Sequence, residues 1–204
     1  MIYSAVKRVA DCLFAVIGLV LLSPVFLALC IAIKLDSPGP ILFRQKRVGR
    51  HKTCFMILKF RTMRGEAPQD MPTHMLEEPQ KYITKLGHFL RKTSLDELPQ
   101  LINILLGHMS VVGPRPALWN QNDLITERDR CGANAIRPGL TGWAQINGRD
   151  ELEIAEKARM DGEYVKNLGP RMDLKCIFGT FGCVIRARGV KEGSTEKNKE
   201  EQKG

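Results

Sequence analysis

The sequence predicts an α+β protein that is mostly helical. An N-terminal membrane-anchoring helix precedes a compact domain with short β-strands and amphipathic helices able to lie at an interface. Three observations carry this. Residues 12–33 hold no charged side chain, and a helix of that length covers a hydrocarbon layer of about 30 Å. ILFRQKRVG and FMILKFRTM are short runs of β-branched, aromatic and cationic residues either side of a basic turn, the pattern of paired strands. Beyond them apolar residues recur at helical spacing. With 204 residues the chain forms one domain of ordinary size with appendages: an anchor at 1–36, a domain at 37–188 and a polar tail at 189–204.

The anchor contains Ser23-Pro24 near its midpoint. Proline lacks an N–H and its ring crowds the carbonyl four residues back, at Val20, so the helix must kink or break. The Ser23 hydroxyl can satisfy a freed carbonyl. Each half then has about 10 to 12 residues, short for a span and suited to a segment that dips in and returns. Lys7 and Arg8 precede the run, and Lys34, Arg44, Lys46, Arg47, Arg50 and Lys52 follow it. A single span would strand one basic flank on the wrong side, whereas a re-entrant segment keeps both in the cytoplasm. A kinked single span is the alternative. A cleaved signal peptide fits poorly, since no A-x-A-like site follows.

After the turn Asp36-Ser37-Pro38-Gly39-Pro40 come the two strands, joined by Arg50-His51-Lys52. Residues 65–80 form a polar loop with three prolines. Residues 83–106 read as helix through Leu86, Phe89 and Leu90 into SLDELPQLINILLG, with Gly107 as C-cap. VVGPRPA and IRPGLTGWAQINGR read as loops. Residues 151–166 and 174–188 read as helices; in the second, Leu174, Ile177, Phe178, Phe181 and Ile185 make an apolar face beside Lys175, Arg186 and Arg188, suited either to a membrane interface or to core packing. From Gly189 the tail is polar and expected to be disordered.

A net charge of +9 and a pI near 9.4 point to anionic partners, whether nucleic acid, nucleotide phosphates or acidic lipid. The six cysteines show no CxxC pair, which excludes a disulfide framework and a zinc site of that kind. His51, His74, His88 and His108 have no spacing of a metal site or triad.

Ser94-Leu95-Asp96-Glu97-Leu98-Pro99 is the sharpest candidate for chemistry. Ser94 and Glu97 have capping-box spacing, and acids in a first turn are stabilised by the helix dipole, so a purely structural role is available. Yet Arg91 and Lys92 precede the acids, and the Arg-bearing GPRP and IRPG follow. A helix start attracts phosphate, and a carboxylate there can hold Mg²⁺ or attack phosphorus. This is phosphoryl-transfer equipment without a P-loop. Arg115, between Pro114 and Pro116, sits on a stiff segment from which its guanidinium can stack on a base or grip a phosphate. Arg137 and Arg149 invite the same reading.

These motifs, in this order, resemble the bacterial sugar transferases, the monotopic phosphoglycosyl transferases, and most closely their small PglC-like members. The likeness extends from Lys7 to Arg188 through LLSP, PGPILFRQKRVG, FMILKFRTM, LRKTSLDELPQLINILLGHMSVVGPRP, RPGLTGWAQINGR and YVKNLGPRMDLKCI. It implies a bacterial inner-membrane enzyme, its catalytic domain on the cytoplasmic face, that moves a sugar 1-phosphate from a UDP-sugar to a polyprenyl (undecaprenyl) phosphate and releases UMP. That step would initiate membrane glycan assembly and supply downstream glycosyltransferases. The resemblance makes Asp96 the nucleophile of a covalent aspartyl-phosphosugar intermediate, Glu97 its partner, and both ligands of Mg²⁺. Lys59, Arg61 and Arg91 would offset charge on the phosphoryl group, while Arg115, Arg137, Arg149 and Asp161 would contact substrate. Nucleic acid is not an implied partner, and membrane lipids are. Larger relatives carry spanning helices ahead of this region, so the chain resembles the minimal form. MDGEYVKNL replaces an aromatic-rich segment frequent in the family. A competing reading is a basic membrane-surface adaptor without chemistry, binding acidic lipid or nucleic acid; it accounts for the charge but not for the ordered motifs.

Overall fold

The computed structural model describes residues 2–67, 78–148 and 152–186. Two helices open the chain, α1 (Ile2–Leu21) and α2 (Ser23–Asp36). The break falls at Leu22, just before Pro24, and bends the pair by 62°. Ser23 Oγ donates to the Val20 carbonyl at 2.8 Å, the acceptor that proline leaves without its usual partner. Among the described residues no single helix is long and apolar enough to cross a membrane, while the bent pair is so only when both halves are taken together.

The expected equal halves are not what forms. α1 begins at Ile2 and has 20 residues, because its first turns are amphipathic and pack on the rest of the protein. Lys7 and Tyr3 both donate to Asp173 Oδ2, at 2.6 and 2.7 Å. Arg8 donates to the carbonyls of Ile104 and Leu105. Buried Asp11 accepts from Ser110 Oγ at 2.7 Å and from the Val111 N–H at 3.1 Å. Lys7 and Arg8, the expected basic flank, thus make internal contacts that tie α1 to the domain.

Strands β1 (Leu42–Val48) and β2 (Cys54–Phe60) pair antiparallel, Leu42 opposite Phe60 and Val48 opposite Cys54. The tip residues His51 and Lys52 have φ of 53° and 60°. Phe60 joins Leu29 and Ile33 of α2 and Leu90 in one core cluster. Short α3 (Pro79–Tyr82) leads to α4 (Lys85–Thr93).

The helix expected over 83–106 is instead three pieces: α4, a 3₁₀ turn at Leu95–Glu97, and α5 (Gln100–Leu105). Ser94 takes the left-handed conformation, φ 57°, and Pro99 starts α5 without an N–H to give. The capping box does not form: Ser94 makes no side-chain cap, and Glu97 N–H bonds the Ser94 carbonyl instead. Gly107 does close the segment, with φ 84°. Asn103 on α5 pairs with the Leu58 N–H and the Met56 carbonyl, satisfying the outer edge of β2.

Two segments expected as loops contain strands. β3 (Ser110–Val112) and β4 (Gly139–Thr141) pair in parallel. Between them lie α6 (Asn122–Arg130) and a 3₁₀ turn at Ala133–Ala135; after them come α7 (Trp143–Ile146), α8 (Ile154–Lys166) and α9 (Pro170–Arg186). The larger core cluster gathers Ala15 of α1, Phe55 and Ile57 of β2, Leu101 and Ile104 of α5, β3, and Tyr164, Met172 and Cys176 from the last two helices. On α9, Ile177 packs against this core, whereas Leu174, Phe178 and Phe181 are exposed. All six cysteines are free thiols. The expected disordered tail lies outside the described residues.

Candidate active site

Asp96 and Glu97 sit side by side on the 3₁₀ turn, held by leucines on either side. Leu95 and Leu98 pack against the Phe60–Leu90 cluster, which turns the two acids toward β2 and the segment after β3. Both are 8 % exposed. Carboxylates this buried need cationic partners, and the structure supplies them. Lys59, on β2, reaches Glu97 Oε1 at 2.8 Å and Asp96 Oδ2 at 3.7 Å. Arg115 Nη2 reaches the same Glu97 oxygen at 3.0 Å. Arg91, at the end of α4, bonds Thr62 Oγ1 at 2.9 Å with its charge acting on Asp96. Burial pushes the Asp96 carboxyl above its ordinary pKa; Lys59, Arg91 and Arg115 pull it back, and Glu97 adds to the rise.

Backbone packing places Arg115. Gly113 N–H bonds the Thr141 carbonyl and Gly139 N–H the Pro114 carbonyl. Here the chains approach too closely for side chains: a Cβ on Gly139 would lie 2.1 Å from Gly113 N, and one on Gly142 2.1 Å from Gly113 O. Arg128 of α6 then grips the Arg115 carbonyl at 2.9 Å through Nη1, while its Nε bonds Asp161 of α8 at 2.8 Å.

Five expected residues thus come together: Lys59, Arg91, Asp96, Glu97 and Arg115. Three do not. Arg61 lies one residue beyond β2, where the chain leaves the strand, and its guanidinium caps the end of α2 through the carbonyls of Ser37 (2.6 Å) and Pro38 (2.8 Å). Asp161 is 1 % exposed and paired with Arg128; it supports Arg115 from behind. Arg137 bonds the Gly107 carbonyl at 2.9 Å, beyond the far end of α5 and about 15 Å along the helical path from Glu97. Arg149 lies outside the described residues. Sequence reasoning missed Arg128, which no motif marks, and Thr62.

Among the described residues no group of three His, Cys, Asp or Glu side chains could hold a metal. A pair of adjacent carboxylates is nevertheless what Mg²⁺ commonly takes from a protein, the remaining ligands being water and substrate phosphates. Asp96 and Glu97 fit that donor set.

The bacterial sugar transferase family matches residues 2–187. This chain belongs to that family. It is 41% identical to the UDP-glucose:undecaprenyl-phosphate glucose-1-phosphate transferase of Escherichia coli over 181 residues, 85% of this chain and 39% of that protein. Against the uncharacterized sugar transferase EpsL of Bacillus subtilis it is 38% identical, covering 91% of this chain and 90% of that one. A third relative is the UDP-N-acetylgalactosamine-undecaprenyl-phosphate N-acetylgalactosaminephosphotransferase of Aeromonas hydrophila, 36% identical over 93% of this chain and 46% of its own length. The chain therefore spans less than half of two of these relatives and nearly all of the third. Within the bacterial sugar transferase family, the match takes in both the bent helix pair and the Asp96–Glu97 turn.

Proposed function

We propose that this chain transfers a sugar 1-phosphate from a UDP-sugar to a polyprenyl phosphate, releasing UMP, as the first membrane step of a glycan. The observation that carries the reading is the buried Asp96–Glu97 pair under Lys59 and Arg115, in a chain whose relatives are named for that reaction. Two anions must meet at one phosphorus, so a cluster of fixed cations is what the reaction requires.

Asp96 is the nucleophile. Its carboxylate oxygen attacks the phosphorus that bears the sugar; the bond from that phosphorus to the bridging oxygen breaks, and its electron pair leaves on UMP. A phosphate oxygen of the lipid then attacks the same phosphorus and Asp96 departs as carboxylate. Splitting the transfer this way lets the soluble product leave before the lipid enters. Lys59 and Arg115 fix Glu97 beside the nucleophile and place positive charge where the diphosphate must lie. Asp96 and Glu97 would hold Mg²⁺, which would supply further positive charge against the phosphates.

The bent pair α1–α2 serves this chemistry as a re-entrant anchor at the cytoplasmic face of the inner membrane. A soluble nucleotide sugar and a lipid phosphate both reach a site held at the interface, so no crossing is needed. The exposed Leu174, Phe178 and Phe181 of α9 extend the same apolar contact.

The direct test is UMP release from a panel of UDP-sugars with polyprenyl phosphate and Mg²⁺. Asp96→Asn is expected to lower the rate roughly a thousandfold or more while leaving the fold intact. Full activity in that variant overturns the nucleophile assignment.

A further inference from the structure

A second cationic cluster lies at the opposite end of α5 from Asp96. Arg8 donates through Nη1 and Nη2 to the carbonyls of Ile104 and Leu105, at 2.6 and 2.9 Å. Arg137 donates through Nε to the next carbonyl but one, Gly107, at 2.9 Å. Arg50, on the hairpin tip, donates through Nε to Ala135 at 3.0 Å, two residues before Arg137. Carbonyls thus hold three guanidiniums along one short stretch of surface.

Their charges are not offset as those in the active site are. Among the described residues, the Nη groups of Arg50 and Arg137 make no hydrogen bond and no ion pair. Asp11 is the carboxylate whose charge reaches Arg137, and its oxygens already accept from Ser110 and Val111. Burial, followed by repulsion from Arg8 and Arg50, holds the Arg137 guanidinium below its ordinary pKa. Such repulsion is relieved by an anion, and planar forks with unpaired Nη groups match phosphate oxygens.

The surroundings select the kind of phosphate. Leu106, between the carbonyls that hold Arg8 and Arg137, is 63 % exposed. Val9 and Leu13, within the same two turns of α1 as Arg8, are exposed. Apolar side chains exposed beside guanidiniums are the arrangement of a protein surface at the headgroup layer. We propose that Arg8, Arg50 and Arg137 form a binding site for the phosphate of an anionic phospholipid headgroup, separate from the Asp96 centre, which fixes how the domain sits on the membrane. This inference rests on the membrane-anchored part of the proposed function and not on its chemistry.

The test uses the full chain in neutral detergent, with native mass spectrometry reading bound short-chain phosphatidylglycerol, phosphatidylcholine or inorganic phosphate. One phosphatidylglycerol per chain is expected at concentrations where phosphatidylcholine is not retained. Arg50→Gln, at an exposed position, should weaken that binding about tenfold, and Arg50→Lys should restore part of it. Unchanged binding in Arg50→Gln overturns the site. Inorganic phosphate held as tightly as the lipid overturns the headgroup as its ligand. Asp96→Asn should bind phosphatidylglycerol like the wild type, so loss of the enzymatic reading would leave this result standing; loss of lipid binding in Asp96→Asn would overturn the separation of the two sites.

Discussion

At the scale of single residues, two opposing influences act on Asp96. It is buried, which disfavours its charge, and it is surrounded by cations, which favour it; burial is the largest effect and the carboxyl sits above its ordinary pKa. Its folded-state pKa therefore exceeds its unfolded value, so the folded state keeps a proton that the unfolded chain releases above about pH 4. Stability from this group is complete below that pH and is lost as pH rises through the folded pKa. Asp96→Asn should accordingly raise the unfolding midpoint at neutral pH, with the gain over wild type shrinking toward pH 4. Melting curves of the two proteins across that range check it; a variant less stable than wild type at neutral pH contradicts the burial argument. The same acid must be ionised to attack, so activity should fall on the acid side at a pH above the ordinary carboxylate range. Lys59 is the strongest influence favouring its charged form. Lys59→Met should move the acid limb of kcat/KM to higher pH as well as lowering the rate, and an unmoved limb would assign that limb to another group.

Legibility in the sequence also differs residue by residue. Asp96, Glu97 and Arg115 stand beside prolines and other charges in motifs, and all three reach the site. Lys59 and Arg61 are two apart and would share a strand face, but β2 ends at Phe60; only the first stays on that face, and the second turns to the end of α2. Arg128 stands in a polar helix whose buried residues are only Leu124 and Arg128 itself, and no local pattern separates a buried arginine from the solvated ones beside it.

At the scale of elements, the hairpin was readable because strand composition and a basic turn are local signals. The break at Ser94 was not, since apolar residues continue at helical spacing across it and a left-handed serine has no signature. β3 and β4 have three residues each, too few for a periodic signal, and they exist because each supplies the other's hydrogen bonds across a long separation. α1 carries the most consequential departure. Its first turns belong to the domain, and through Asp11 they hold β3, whose next residues lead directly into Arg115. Removing the Asp11 carboxylate leaves the Val111 N–H and the Ser110 hydroxyl buried without acceptors. Asp11→Ala should then cost about 3 kcal/mol and raise KM for the UDP-sugar, with Asp11→Asn recovering part of both. Denaturant titration in detergent, together with initial rates, measures this; an alanine variant as stable as wild type would show that β3 is held without α1.

At the scale of the whole molecule, the apolar surface and the site share one logic. Leu13, Phe14, Ile17, Val20 and Leu21 of α1, Leu27 and Ile31 of α2, and Phe178 and Phe181 of α9 are all exposed; a protein surrounded by water would bury such a collection. Neither α1 nor α2 suffices as a span, and the outer ends of both stay with the domain: α1 through Lys7 and Asp11, α2 through the Arg61 cap. Those two attachments are to one folded body, so the re-entrant anchor proposed above requires Ser4 and Asp36, near the outer ends of the pair, to lie on the same side of the membrane. Single cysteines at these positions, in a background lacking the native thiols, should be protected alike from an impermeant maleimide in intact cells and react alike once the inner membrane is permeabilised. Labelling of one from outside while the other stays protected would mean that the pair straightens into a span, and the Lys7–Asp173 or Arg61–Ser37 contacts could not then persist together.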